Sequence, residues 1–254
     1  MTEVTAHAPG TPSWVDIGVP DIAAAAAFYT ALFGWETEDM GEEAGHYTMC
    51  LLRGKPVAAI GPAMNPGPPA WTTYITVANV DDTAAKITAA GGQVVAPPMD
   101  VMTAGRMAVA QDPTGAFFAI WQAGESIGAE IVNEPNTLCW NELNTRDVDG
   151  ALAFYETVFG LKAQRSDAYN EFQLGDKVVG GCMPMPPMIP AQVPAHWLAY
   201  FAVEDIGAST AKAKDLGAMA MVEAMEAGDV GKFSVLGDPA GAVFAIIQLN
   251  NPDR

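Results

Sequence analysis

The stretch DPTGAFFAIWQ at residues 112–122 returns as DPAGAVFAIIQ at residues 238–248. Asp-Pro-x-Gly is turn chemistry: Asp bonds the local backbone, Pro presets φ, and Gly takes the position needing positive φ. A β-type apolar run follows in both copies, so the chain writes one turn and one strand twice. Working outward, the spacing of 126 also carries Trp14 to Trp140, Asp21 to Asp147, Phe28-Tyr29 to Phe154-Tyr155, and Phe33-Gly34 to Phe159-Gly160. It carries Tyr74 to Tyr200 and Gly91 to Gly217 as well. In the middle the spacing slips to 122, matching YTMCLLRGKPVAAI from Tyr47 with YNEFQLGDKVVGGC from Tyr169. The missing residues return in the loop MPMPPMIPAQVP, so the 254 residues read as a duplication.

Each half divides again. WVDIGVPDIAAAAAFYTALFG is a short apolar strand, Asp21 as N-cap, and an Ala-rich helix closed by Gly34. WTTYITVANVDDTAAKITAAGG repeats the pattern with Asp81 or Asp82 as cap and Gly91-Gly92 as stop. Short β-like runs follow each helix. The expected fold class is α+β: four βαβββ modules, in two domains, with helices near 21–33, 81–90, 147–159 and 205–216 covering one side of curved, mainly antiparallel sheets. The expected boundaries are a flexible tail 1–11, a first domain 12–124 (modules 12–66 and 67–124), a linker 125–135, and a second domain 136–251 (modules 136–190 and 191–251).

Composition narrows the function classes. Half the residues are hydrophobic and 17% charged, enough apolar material for packed cores. No apolar run approaches the roughly 20 residues that span a bilayer, and the N-terminus lacks the features of a signal peptide. Cys50, Cys139 and Cys182 are odd in number and widely spaced, which fits a reducing cytoplasm. A net charge of −18 repels phosphate backbones and anionic lipid surfaces, so neither nucleic acid nor membrane is an expected partner. A small-molecule ligand is, in a chain that is a monomer of two pseudo-symmetric domains or a homodimer.

The strings VPDIAAAAAFYTALFGW, DVDGALAFYETVFGL and the paired DPxGAxFAI resemble the vicinal oxygen chelate superfamily, which includes glyoxalase I, extradiol dioxygenases and bleomycin-resistance proteins. The likeness covers roughly residues 12–250 and is greatest to two-domain actinobacterial proteins of the hydroxylase-like or 27 kDa antigen type. It implies that paired modules close into β-cups. In metal-using members the ligands come from the first strand, the first strand of the next module and the strand after the DPxG turn. Those positions fall here on Trp14, Thr72 and Ala119 in the first half and Trp140, Leu198 and Ala245 in the second. None is a usual ligand, and Ala coordinates nothing through its side chain. No cofactor and no bound metal are therefore expected, a divalent ion being left only to migrated ligands.

Such candidates exist. Asp16 and Glu142 lie two residues beyond the first-strand position, and His196 two before Leu198, so strand alternation turns all three inward. A Glu142–His196 pair reads as a partial metal site, a general acid/base couple, or a hydrogen bond at the cup mouth. By the same parity the inward lining includes Trp14, Tyr74, Phe117, Trp121, Trp140 and Tyr200, while Trp71 and Trp197 are one residue off and belong under helices or at the domain interface. Arg106 and its repeat mate Lys232 read either as partners of an inward carboxylate, as clamps for a substrate carboxylate, or as structural ion pairs. The loop MPMPPMIP at 183–190 is a lid or a plain connector. Three functions stay open: binding of a small aromatic or apolar molecule in one or both cups; a hydroxylase-like, glyoxalase-like or dioxygenase-like enzyme of secondary or aldehyde metabolism; and a scaffold with filled cups.

Overall fold

The fold of the chain was described from a computed structural model, which covers residues 3–63, 67–166 and 169–251. The first half runs β1 (Pro12–Val19), α1 (Ile22–Phe33), β2 (Glu36–Asp39), β3 (Thr48–Leu52), β4 (Lys55–Pro62), β5 (Ala70–Thr76), α2 (Val80–Ala89), β6 (Gln93–Val101), β7 (Gly105–Gln111) and β8 (Phe117–Ala123). The second repeats it as β9 (Leu138–Thr145), α3 (Val148–Phe159), β10 (Lys162–Gln164), β11 (Asn170–Leu174), β12 (Lys177–Pro184), β13 (His196–Ala202), α4 (Ile206–Asp215), β14 (Met219–Glu226), β15 (Gly231–Gly237) and β16 (Val243–Leu249).

The expected helices form, and their ends follow from local chemistry. Asp21, Asp147 and Asp205 cap α1, α3 and α4, each side chain accepting a backbone N–H three residues on. Gly34 and Gly160, both at φ 73°, close α1 and α3 in the left-handed region. The cap of α2 departs from expectation. It is Asn79, whose Oδ1 accepts from Asp82 N at 2.9 Å, because the helix starts one residue earlier, at Val80, and leaves Asp81 and Asp82 in its first turn.

The two modules of each half share one eight-stranded sheet, ordered β2-β3-β4-β1-β5-β8-β7-β6 and β10-β11-β12-β9-β13-β16-β15-β14. Most neighbours are antiparallel, but β1–β4, β5–β8 and their mates β9–β12 and β13–β16 are parallel, so the sheets are mixed. One face of each sheet carries a cup cluster, Trp14, Ala59, Tyr74, Ala119 and Trp121 in the first and Leu198, Tyr200, Ala245 and Ile247 in the second.

The opposite faces build two larger cores, and both cores draw on both halves. Phe28, Tyr29 and Phe33 of α1 pack with Phe201, Phe244 and Ile246 of β13 and β16. Phe154 and Tyr155 of α3 pack with Ile75, Phe118 and Ile120 of β5 and β8. Two buried hydrogen bonds lock this exchange: Tyr29 Oη donates to Asp238 Oδ2 at 2.9 Å, and Tyr155 Oη to Asp112 Oδ2 at 3.0 Å. Each phenol in turn accepts from a Trp one residue out of cup phase, Trp71 at 3.1 Å and Trp197 at 2.9 Å. The DPxG turns thus behave as expected locally, with Asp112 Oδ1 taking the N–H groups of Thr114 and Ala116, and also clasp the other half.

From Glu3 onward the N-terminus is not a free tail. Val4 N donates to Glu130 O, His7 Nε2 contacts Ala129 O at 2.8 Å, and Gly10 N donates to Thr76 O. No helix among the described residues is long and apolar enough to cross a membrane.

Candidate functional site

Each cup is centred on one carboxylate. In the first, β1 presents Trp14 and Asp16 on its concave face, paired with Tyr74 and Thr72 of β5. Trp14 Nε1 donates to Tyr47 Oη at 3.1 Å, Tyr47 Oη donates to Asp16 Oδ2 at 3.0 Å, and Tyr74 Oη donates to the same oxygen at 2.7 Å. In the second, Trp140 Nε1 donates to Tyr169 Oη at 2.6 Å, and Tyr200 Oη donates to Glu142 Oε1 at 3.0 Å. Tyr169 completes the set by bonding Glu142, and Asn144 Nδ2 adds a donor at 3.1 Å. The duplication has kept a Trp–Tyr–carboxylate–Tyr cluster in both cups.

Enclosure dominates the electrostatics. Burial pushes the Asp16 carboxyl up to about 6, against the pull of the hydroxyls of Tyr74, Tyr47 and Thr72 that favour its ionised form. Glu142 is raised for the same first reason, offset by Asn144, Tyr169 and Tyr200. All four phenols are raised, by burial first and then by the adjacent carboxylate, so they stay as O–H donors. Glu142 is buried whereas Asp16 keeps partial access.

Beside the carboxylates runs a cross-strand row with a small residue at its centre. It reads Trp14, Tyr74, Ala119, Val109 and Ala96 in the first cup, and Trp140, Tyr200, Ala245, Val235 and Val222 in the second, each directly opposite the next. The alanines thus lie between an aromatic pair and an aliphatic one, forming an apolar trough with a polar anchor at one side.

These residues do not fit a divalent metal. One carboxylate per cup, two neutral phenols and an indole N–H, which is a donor only, fall short of the three or more anionic or lone-pair ligands such ions take. Among the described residues no group of three or more His, Cys, Asp or Glu could hold a metal ion.

The structure brings most of the expected residues together and parts a few. Asp16, Trp14, Tyr74 and Trp121 meet in the first cup, and Glu142, Trp140 and Tyr200 in the second. His196 does not pair with Glu142: it stands opposite Asn144, its Nδ1 engaged with Pro194 O at 3.0 Å, and Asn144 takes the place beside the carboxylate. Arg106 and Lys232 leave the cups altogether. Their neighbours Met107 and Phe233 pack into the cup clusters, so alternation sends both basic side chains to the helix side. There Arg106 grips Asp81 at 2.9 Å and Asp100 at 2.8 Å, and Lys232 pairs with Glu226 at 3.0 Å. Phe117 has the inward parity, yet at the start of β8 it is 50% exposed. The Met/Pro loop is fastened by Arg146, which donates to Pro190 O at 2.9 Å and Val193 O at 2.7 Å, leaving a cavity of about 440 Å³ outside the cups.

Tyr47, Tyr169 and Asn144 are the site residues that sequence reasoning missed, while Thr72, placed at a cup position but read as no metal ligand, proves to be a hydroxyl donor to Asp16. Tyr47 and Tyr169 did carry a signal, as the matched first letters of the two strings in the displaced register. Asn144 carried only the strand parity it shares with Glu142, its repeat mate being Gly18.

Comparison with known proteins agrees with this architecture. The family model described as Glyoxalase/Bleomycin resistance protein/Dioxygenase superfamily matches twice, at residues 11–120 and 132–246. The Mycobacterium tuberculosis protein CFP32, named as a candidate glyoxylase, is 45% identical over 260 residues, covering 98% of this chain and 98% of its own. The anthracycline biosynthesis protein DnrV of Streptomyces peucetius is 36% identical over 266 residues, covering 97% of this chain and 96% of its own. A Mn(II)-bound glyoxalase from Novosphingobium aromaticivorans shares the fold, with a TM-score of 0.67 at 18% identity over 94% of this chain and 82% of that one. With the family model matched in both halves and relatives this similar along the whole length, the chain belongs to the glyoxalase/bleomycin resistance/dioxygenase superfamily.

Proposed function

We propose that this protein binds a flat, hydroxylated aromatic molecule in a β-cup, without a metal. The observation that carries the reading is the duplicated cluster: an acceptor carboxylate framed by two tyrosines and a tryptophan, beside a trough whose centre is Ala119 or Ala245. Rings gain area and stacking against Trp and Tyr, and a ligand hydroxyl donating to the carboxylate fixes orientation. The relation to a protein of anthracycline biosynthesis supports fused-ring ligand chemistry. The test is a fluorescence titration with 1,4-dihydroxyanthraquinone. Saturable micromolar binding is expected, weakened about tenfold or more (~1.4 kcal/mol) in the Asp16→Asn/Glu142→Gln double variant. Absence of saturation would sink the proposal, and equal affinity in the double variant would remove the carboxylates from it.

One observation favours a second reading as an enzyme. Asp16, partly accessible and raised to about 6, has the proton affinity of a general base working near neutrality, with Tyr47 and Tyr74 as donors beside it. Turnover of a bound ligand that Asp16→Asn abolishes while affinity persists would decide for catalysis.

A further inference from the structure

We infer that the second cup reads its ligand at two points, Glu142 being the first and the pair Asn144 and His196 the second. The ligand it selects is an aromatic molecule with a second hydrogen-bond donor about 7 Å from the hydroxyl that Glu142 takes, the span of two residues along β9. This rests on the binding function just proposed and adds the residues and the ligand feature that set the second cup apart from the first.

The two cups diverge one row beyond the carboxylate. In the first, Gly18 of β1 stands opposite Gly61 of β4 and Ala70 of β5. In the second, the same row reads Met183, Asn144 and His196 across β12, β9 and β13. Three residues with almost no side chain are matched by three long ones. The first cup needs the small ones, because Tyr47 lies over this row: a Cβ on Gly61 would stand 3.1 Å from its ring. In the second cup the matching tyrosine lies over the carboxylate's own row. There a Cβ on Gly181, the register partner of Glu142, would run into Tyr169 Oη. The row of Asn144 is thereby left to side chains.

Those side chains bring acceptors to the cup. Asn144 shares the concave face of β9 with Glu142, and His196 shares that of β13 with Leu198, a member of the cup cluster. Asn144 is 6% exposed and gives Nδ2 to Glu142 Oε1 at 3.1 Å, which turns its Oδ1 away from the carboxylate. Among the described residues no group donates to that oxygen, and no wholly enclosed polar side-chain atom lacks a partner, so Oδ1 stays accessible. Half-buried His196 gives its Nδ1 hydrogen to Pro194 O at 3.0 Å, which leaves Nε2 of the neutral ring as an acceptor. Gly18 and Ala70 offer no such atoms in the first cup. A ligand that covers these acceptors without donating to them strips their water and returns nothing, so the site discriminates by the second donor. Met183 flanks the pair and adapts to the edge of a ring.

The experiment compares 2,6-dihydroxynaphthalene, with hydroxyls at opposite ends, against 2-naphthol, which has one, by isothermal titration calorimetry of the full-length protein. The diol is expected to bind at least about tenfold more tightly, and His196→Phe and Asn144→Leu each to shrink that gap to about twofold or less by weakening the diol alone. His196→Gln, which keeps an acceptor in place, should hold most of the gap. His196→Phe leaves the bonds of Glu142 intact, so it carries the test if Asn144→Leu does not fold. Equal affinity for the two probes, or a gap unchanged in His196→Phe, would overturn the inference and leave the binding function standing. Binding of neither naphthol while 1,4-dihydroxyanthraquinone binds would do the same. Binding of none of the three would remove both.

Discussion

Asp16 is held by neighbours that disagree about its charge. Enclosure favours the protonated acid, three hydroxyl donors favour the carboxylate, and enclosure wins, lifting the group from its ordinary 3.8 to about 6. Between those values the folded protein binds more protons than the unfolded chain. Stability from this group is therefore fully present below about pH 4 and is lost as pH rises through about 6. In urea denaturation at pH 4.5 and 7.0, Asp16→Asn should lose less stability across the interval than the parent protein. An unchanged difference would show that Asp16 titrates normally. The inward parity of Asp16 and Glu142 was legible from counting alone, but the environment was not. Tyr47 lies 31 residues from Asp16 and Tyr74 lies 58 away, so their convergence on one oxygen depends on strand pairing.

At the scale of the element, the caps were easiest to read. Asp21, Asp147 and Asp205 act through the backbone within three residues, a distance over which sequence and geometry nearly coincide. At α2 three polar residues compete, and the first of them that meets the helix start wins the capping position. Asn79→Ala is accordingly expected to cost about 1 kcal/mol in denaturant melts, while Asp82→Ala costs clearly less. The reverse order would put the helix start where the sequence first suggests it. Arg106 and Lys232 show the limit of local reading. The sequence left them open between cup partners, substrate clamps and structural ion pairs, and only the positions of Asp81, Asp100 and Glu226 show that they are held outside the cups.

At the scale of the molecule, the halves are repeats in sequence but not independent in packing. Each sheet belongs to one half, whereas α1 packs between its own sheet and β13 and β16 of the second, and α3 between its own sheet and β5 and β8 of the first. A specific protease site placed between Glu125 and Ser126 should therefore give two fragments that co-elute in gel filtration. Tyr155→Phe, which strips partners from buried Asp112 and Trp197, should lower the stability of that complex by about 1–3 kcal/mol. Fragments that separate without denaturant would refute the shared cores. The sequence by itself determined the duplication, the module order, the ends of α1 and α3 and the concave parity of β1 and β9, because turn chemistry and strand alternation act between residues near in the chain. Tertiary structure alone decided that each core is shared between the halves, that tyrosines rather than His196 frame the carboxylates, and that residues 126–132 pack into the first cup. Each of these depends on which distant surfaces meet, and a local pattern of apolar and polar residues is compatible with more than one such meeting.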